Sequence, residues 1–226
     1  MAENSSAADG EHSSARRRAT RARLLEAATA EIGERGFHAT SIEHITERAG
    51  FTRGAFYSNF ESKEQLFAEA LDAGRRVLVG ELDAQLAQTG LPIETDAHDG
   101  VDQAGIELAV AHILRGLPKD PTWYVRNAEA DLLAARDPAF AASTRESAAQ
   151  FLDDLGALVQ RTIGEYGLQF TIDSGQVIRV LFGYFSTALR EAVLEGKAEE
   201  VWLSDAQQAN TVARLLIALV EPCPPS

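Results

Sequence analysis

The sequence predicts an all-α protein, with a small N-terminal three-helix module followed by a larger helical C-terminal domain. Three observations carry that expectation. Apolar residues recur at i, i+3 and i+4 spacing along most of the chain. No strand-length alternation competes with them. Glycine or proline falls near most breaks between the periodic stretches, as at Gly36, Gly50, Pro121 and Pro138.

Charge divides the chain in the same way. The 226 residues carry a net charge of −13, yet residues 15–63 hold nine Lys or Arg against six acids. Such sign asymmetry between segments points to different partners for the two parts. With 45% hydrophobic residues the chain is long enough for one good-sized core and an appended module. No apolar run approaches the roughly 18 residues of a membrane span, and "MAENSSAADGEHSSARRRAT" lacks a signal-peptide core. A soluble, cytoplasmic protein with no membrane partner is expected. The single cysteine, Cys223 in "EPCPPS", can neither close an internal disulfide nor join a multi-cysteine metal site within one chain.

Residues 1–15, rich in Ser, Ala, Glu and Gly, are expected to form a disordered tail. Residues 16–63 form the first module and 64–226 the second. Leu24 or Leu25, Ala28 and Ile32 share one helical face, and Gly36 stops that helix. Thr40, with Glu43 after it, reads as a capping box that starts a second helix near Ser41. Ile42, Ile45 and Ala49 line its buried side, and Gly50 supplies the left-handed turn at its end. Thr52 then caps a third, very short helix. Two helices joined by a tight glycine-containing turn form a helix-turn-helix, whose second helix is sized for the major groove.

That second helix lies in "FTRGAFYSNF". With Phe56 facing inward, Phe60 falls beside it, while Gly54, Ala55, Tyr57 and Ser58 point away. A face so small in its middle lets backbone approach base edges closely. Arg53 can then reach guanine, the Ala55 methyl can meet a thymine methyl, and Tyr57 can donate to a phosphate. A short connector with solvated polar residues fits this stretch alone equally well. In "ESKEQLF", Ser62 and Gln65 read as a second capping box that places Lys63 in the first turn of a fourth helix. A cation there opposes the helix dipole, which suits either a phosphate site or a tolerated surface lysine.

Residues 22–71 resemble the DNA-binding domain of TetR/AcrR-type transcriptional regulators without gaps. The resemblance rests on Gly36-Phe37, Thr40-Ser41, Ala49-Gly50-Phe51, Gly54, Tyr57, Phe60 and Ser62-Lys63. It implies that Thr40 or Ser41, Tyr57 and Lys63 hold phosphates of double-stranded operator DNA, and that Thr52, Arg53, Gly54 and Ala55 face bases. Ser58 belongs to the same exposed face. Asn59 stands where the family often has histidine, and keeps the capacity to bond a phosphate or a base. Arg16, Arg17 and Arg18 form either a basic arm for the adjacent minor groove or part of a solubilising tail.

After a fourth helix expected to end near Gln85, "QTGLPIETDAHDG" reads as a loop. Helices are then expected over Val101 to Arg115, Pro121 to Ala135, Pro138 to Gly167, Ile172 to Gly196 and Ser204 to Glu221. The family's C-terminal domain implies dimerisation through the last two long helices and a small-molecule effector site. Val177, Val180, Leu181, Tyr184, Phe185 and Ala188, with Val212, Leu215, Leu216 and Leu219, supply broad apolar faces. One short recognition helix reads too few base pairs alone, which independently argues for two copies. Trp123, Tyr124, Asn127, Phe151, Arg179 and Phe182 are the effector-site candidates, since such pockets combine aromatic walls with a few polar groups. Arg179 stands out as a cation amid "QVIRVLFGYF", where a charge needs a partner, such as Asp131, Glu129 or a ligand.

The five histidines show neither metal-ligand spacing nor a neighbouring nucleophile, and no glycine-rich phosphate loop follows a strand. No catalytic residue, metal or cofactor is expected. The reading is a homodimeric, sequence-specific regulator, a repressor in most family members, released from a palindromic operator by its effector. An architectural DNA-binding protein is the alternative, and a helical enzyme a more distant one.

Overall fold

The computed structural model describes residues 3–89, 95–96, 100–101, 121–196 and 206–223. Its helices are α1 (Glu3–Arg35), α2 (Ile42–Ala49), α3 (Arg53–Tyr57), α4 (Lys63–Thr89), α5 (Pro121–Arg136), α6 (Pro138–Gly164), α7 (Ser174–Leu194) and α8 (Ala206–Ile217). Two minor antiparallel pairs accompany them: β1 (Thr95–Asp96) with β2 (Gly100–Val101), and β3 (Leu168–Phe170) with β4 (Val220–Pro222). The all-α class therefore holds. The helix expected over Val101 to Arg115 lies, beyond Val101, outside the described residues.

The chain divides into two compact units, residues 1–73 with 125–145, and residues 74–124 with 146–226. The linear sequence hides that residues 125–145 join the first unit. Its core takes Leu24, Ala28 and Ile32 from α1, Ile45 and Ala49 from α2, Phe56 and Phe60 from the α3 region, and Leu66 and Phe67 from α4. Ala130, Leu133 and Phe140 complete it. Phe67 stacks between Phe37 and Phe140, at centroid distances of 5.3 and 5.8 Å. These are the apolar positions that helical spacing marks, so periodicity and burial agree here.

Several boundaries move. Backbone from Glu3 onward is helical, whereas a disordered tail through residue 15 is expected from sequence. Ala, Glu, Ser and Arg all tolerate a helix, and once Leu24 to Ile32 nucleates one, each added residue costs little. The α2 cap also shifts by one residue. Ser41, not Thr40, is the N-cap, and His44, not Glu43, closes the box. The His44 amide donates to Ser41 Oγ at 3.1 Å while the Ser41 amide donates to His44 Nδ1 at 3.3 Å.

In the second unit Leu78, Leu82 and Leu86 of α4 pack with Phe151, Leu155, Leu158, Val159 and Ile163 of α6 and Val177 and Ile178 of α7. The end of the chain returns as β4, where sequence predicts helix to Glu221. Helix α8 stops at Ile217 because the amides of Thr171 and Cys223 bond the carbonyls of Leu219 and Gly167, at 2.9 and 2.8 Å. Leu168 and Phe170 thereby turn into the core.

Candidate nucleic-acid interface

Helices α1 and α2 are tied by an ionic clamp. The buried Glu31 carboxylate meets Arg48 at 2.9 Å and Arg35 at 2.9 Å, and Arg48 also pairs with Glu34 at 2.7 Å. A buried acid is tolerated here because cations from both helices neutralise it. Helix α2 ends at Gly50, whose φ of +71° is strained for any residue with a Cβ. The amides of Gly50 and Phe51 turn back to the carbonyls of Glu47 and Thr46, at 3.0 and 2.8 Å. Thr52 caps α3 by accepting from the Ala55 amide. Phe56 and Phe60, fully and nearly fully buried, anchor the short helix from beneath.

The outer face of α3 is what this anchoring leaves. Thr52, Arg53, Gly54, Tyr57 and Ser58 are exposed, and Ala55 is half-exposed. A Cβ added to Gly54 would meet only Thr52 Oγ1, at 3.6 Å. No part of the described chain needs this position to be bare. Arg53 Nη1 lies 2.6 Å from Glu43 Oε1. A hydrogen bond with Tyr57 and the Glu43 charge both favour the Arg53 cation. Ser58 Oγ donates to the Gly54 carbonyl at 2.8 Å.

Other expected contacts are turned inward. Thr40 is buried, with its hydroxyl directed at the carbonyls of Glu31 and Gly36, at 3.1 and 2.9 Å. Of the Thr40 or Ser41 alternative, only Ser41 has a partly open side chain. Asn59 Nδ2 donates to the Ala55 carbonyl at 2.8 Å, and its Oδ1 is buried without a hydrogen-bond partner. Lys63 Nζ donates to the carbonyls of Phe37 and Thr40, at 2.8 and 2.7 Å, and sits over the Phe37 ring. The ammonium thus caps the chain between α1 and α2 while standing at the start of α4. Burial pushes its pKa down. The second capping box is displaced as well: Ser62 Oγ accepts from the Gln65 amide, but the Gln65 side chain accepts from the Glu61 amide rather than reaching Ser62.

Sequence reasoning did not anticipate Glu43 as the partner of Arg53, because their separation across the turn follows no helical period. Arg17, named in sequence only as part of a basic arm or a solubilising tail, donates to the Ser58 carbonyl at 3.4 Å. Arg21 bonds the Asn59 carbonyl and Glu69, and lies over the Phe60 ring.

Of the effector candidates, Trp123, Phe151 and Phe182 come together. Trp123 meets Phe182 and Phe185 edge-on at 5.9 and 5.8 Å, and Phe151 meets Phe182 at 5.4 Å. Tyr124 is half-buried, and Asn127 belongs to the other unit. Arg179 is exposed, so it is not the buried cation its neighbours suggest. It projects from α7 opposite the buried Val177, Phe185 and Ala188. Val180, expected in that apolar cluster, is 57% exposed. No helix among the described residues is long and apolar enough to cross a membrane.

Fold and surface together define a helix-turn-helix module of the kind that reads duplex DNA, carried on an otherwise helical chain. Residues 24–70 match the family described as bacterial regulatory proteins, tetR family. The chain resembles that family over this N-terminal stretch. It is 48% identical over 52 residues to the uncharacterised HTH-type transcriptional regulator YdgC of Bacillus subtilis, covering 23% of this chain and 27% of that one. The chain thus spans about a quarter of the length of the curated relatives it matches. A TetR-family crystal structure from Mesorhizobium loti superposes with a TM-score of 0.69 at 19% identity, over 91% of this chain and 98% of that one. The regulator FadR of Bacillus subtilis, solved with stearoyl-CoA, gives 0.61 at 16% identity, over 87% and 97%. These structures share the fold.

Proposed function

We propose that this chain is a homodimeric, sequence-specific DNA-binding transcriptional regulator, a repressor that a small-molecule effector releases from a palindromic operator. The observation that carries the reading is the bare, open Gly54 in the middle of an exposed face bounded by Arg53, Ala55 and Tyr57. Glycine weakens a helix, and a position with free space around it has no packing reason to tolerate that cost. Close approach of a duplex supplies the reason. Arg53 and Ala55 read base edges; Ser41 and Tyr57 contact phosphates, with Thr52 and Ser58 beside them. Lys63 acts chiefly through its grip on the Phe37 and Thr40 carbonyls, holding the turn before α2, with its remaining donor available to a phosphate.

Dimerisation through α7 and α8 is supported by their exposed apolar side chains, Val180, Leu194 at 72% and Leu215 at 37%. The half-buried aromatic group around Trp123 and Phe182 suits an apolar effector, and a neighbour of the same fold carries an acyl-CoA. Release requires only that the effector bind the DNA-incompetent state more tightly; operator DNA then weakens effector binding by the same factor. Selection of duplexes from a randomised pool tests the DNA reading. A palindrome with half-sites about one helical turn apart is expected. Recovery of sequences without a common motif refutes sequence-specific reading and favours the architectural alternative.

A further inference from the structure

The carboxylate of Glu43 stands on the same exposed surface that the proposed function assigns to DNA, where an acid opposes the phosphates. Ser41 and His44 close the capping box of α2 between them, and Glu43, in the first turn of that helix, has its charged form favoured by its own backbone amide, by Arg53 and by Ser41. Across the turn its carboxylate holds Arg53, at 2.6 Å, with both side chains about half exposed. Helix α3 has only five residues, and the position after Arg53 is glycine. The guanidinium therefore has no side-chain wall on that side. Its ion-pair partner among the described residues is Glu43.

We infer that Glu43 is a specificity-determining positioning residue, which fixes Arg53 for base reading and penalises its use on phosphates. This rests on the DNA-reading function proposed above. A guanidinium has five donors in a rigid plane, so one edge can remain on the carboxylate while another meets guanine O6 and N7. Holding the side chain in advance removes part of the ordering cost of that contact. The negative charge works on the other side of the balance. A phosphate that tries to capture Arg53 must compete with Glu43 and approach its charge. Specificity is a difference of affinities, and repulsion of the wrong contact widens it.

Glu43→Gln keeps the shape and a hydrogen-bonding carbonyl while removing the charge. The test measures binding of wild type, E43Q, R53A and the double variant to two probes: the duplex recovered by wild type from a randomised pool, and a scrambled duplex of the same composition. In E43Q the scrambled duplex is expected to bind about threefold tighter, and the preference between the duplexes to fall about tenfold. In the R53A background the same change should leave the preference unaltered, because the residue it positions is gone. An unchanged preference in E43Q, or an equal change in both backgrounds, overturns the inference while leaving DNA reading intact. If wild type itself shows no preference, the DNA-reading function fails and the inference fails with it. The thermal midpoint of E43Q reports folding separately, and an exposed pair should shift it little.

Discussion

Gly54→Ala should move stability and DNA binding in opposite directions. The added methyl has room, because the nearest atom to an ideal Cβ is Thr52 Oγ1 at 3.6 Å, an ordinary contact distance. Gly54 has no positive φ, so alanine brings no backbone strain. It also restricts the unfolded chain and suits a helix better, which together stabilise by about 0.4 to 1 kcal/mol. In a chain of this size that amounts to a rise of roughly 1 to 4 °C in Tm, read by thermal denaturation of the DNA-free protein. In the proposed complex the same methyl would stand where backbone must approach base edges. Displacing the helix from the groove loses at least one base contact worth about 1 to 3 kcal/mol, a tenfold or greater loss by fluorescence anisotropy. A variant that is more stable and binds as well as wild type would show that nothing outside the chain needs the position bare. A destabilised variant would reveal an intramolecular constraint and remove the main support for the proposed interface.

Other perturbations separate the structural groups from those at the interface. Lys63→Met removes the charged donor from two backbone carbonyls and should cost about 1 to 3 kcal/mol in urea unfolding; an unaffected midpoint would return Lys63 to a purely phosphate-binding role. Glu34 has its pKa lowered from 4.5, first by its hydrogen bond with Arg48. A depressed carboxylate contributes stability above its unfolded pKa and loses that contribution as pH falls through the folded value. Glu34→Gln should therefore flatten the decline in stability on acidification below pH 4.5, and an identical acid limb in denaturation curves would count against the clamp. Arg53→Ala should weaken the preferred duplex by about 1 to 3 kcal/mol and relax its sequence, with little change on unrelated duplexes; a uniform loss across sequences would make Arg53 a phosphate contact.

The parts of the fold legible in the sequence are those where burial and periodicity coincide. Leu24, Ala28, Ile32, Ile45, Ala49, Phe56 and Phe60 are all core residues, and each sits on the face that helical spacing assigns it. Gly50 was legible for a different reason, since a left-handed turn admits few other residues. Hydrogen-bonding detail was not. Thr40 and Ser41 are adjacent hydroxyls before the same helix, and composition does not say which of them faces the core. The structure buries Thr40 against the Glu31 and Gly36 carbonyls and leaves Ser41 to cap. The sequence of its own helix makes Lys63 a cation opposing the dipole, whereas its partners belong to the distant turn from Phe37 to Thr40. Arg179 misled because apolar neighbours in sequence are not neighbours in space on a helix; its side chain lies on the exposed side while Val177 and Ile178 fill the core.

The pairing of charges also revises where the positive surface of the first unit lies. Averaged over residues 15–63 the cations outnumber the acids by only three, and the described ion pairs engage Arg21, Arg35, Arg48 and Arg53. Lys63 is held by carbonyls. Arg16, Arg17, Arg18 and Arg23 are exposed, and none of them forms an ion pair with an acid among the described residues. Arg17 nevertheless reaches the Ser58 carbonyl, at the end of α3. If the module binds DNA as proposed, counterion release and long-range attraction come largely from these α1 arginines, while α3 contributes shape and a single restrained guanidinium. The basic segment is then part of the interface as a helical extension, and affinity and selectivity rest on different helices of the same module.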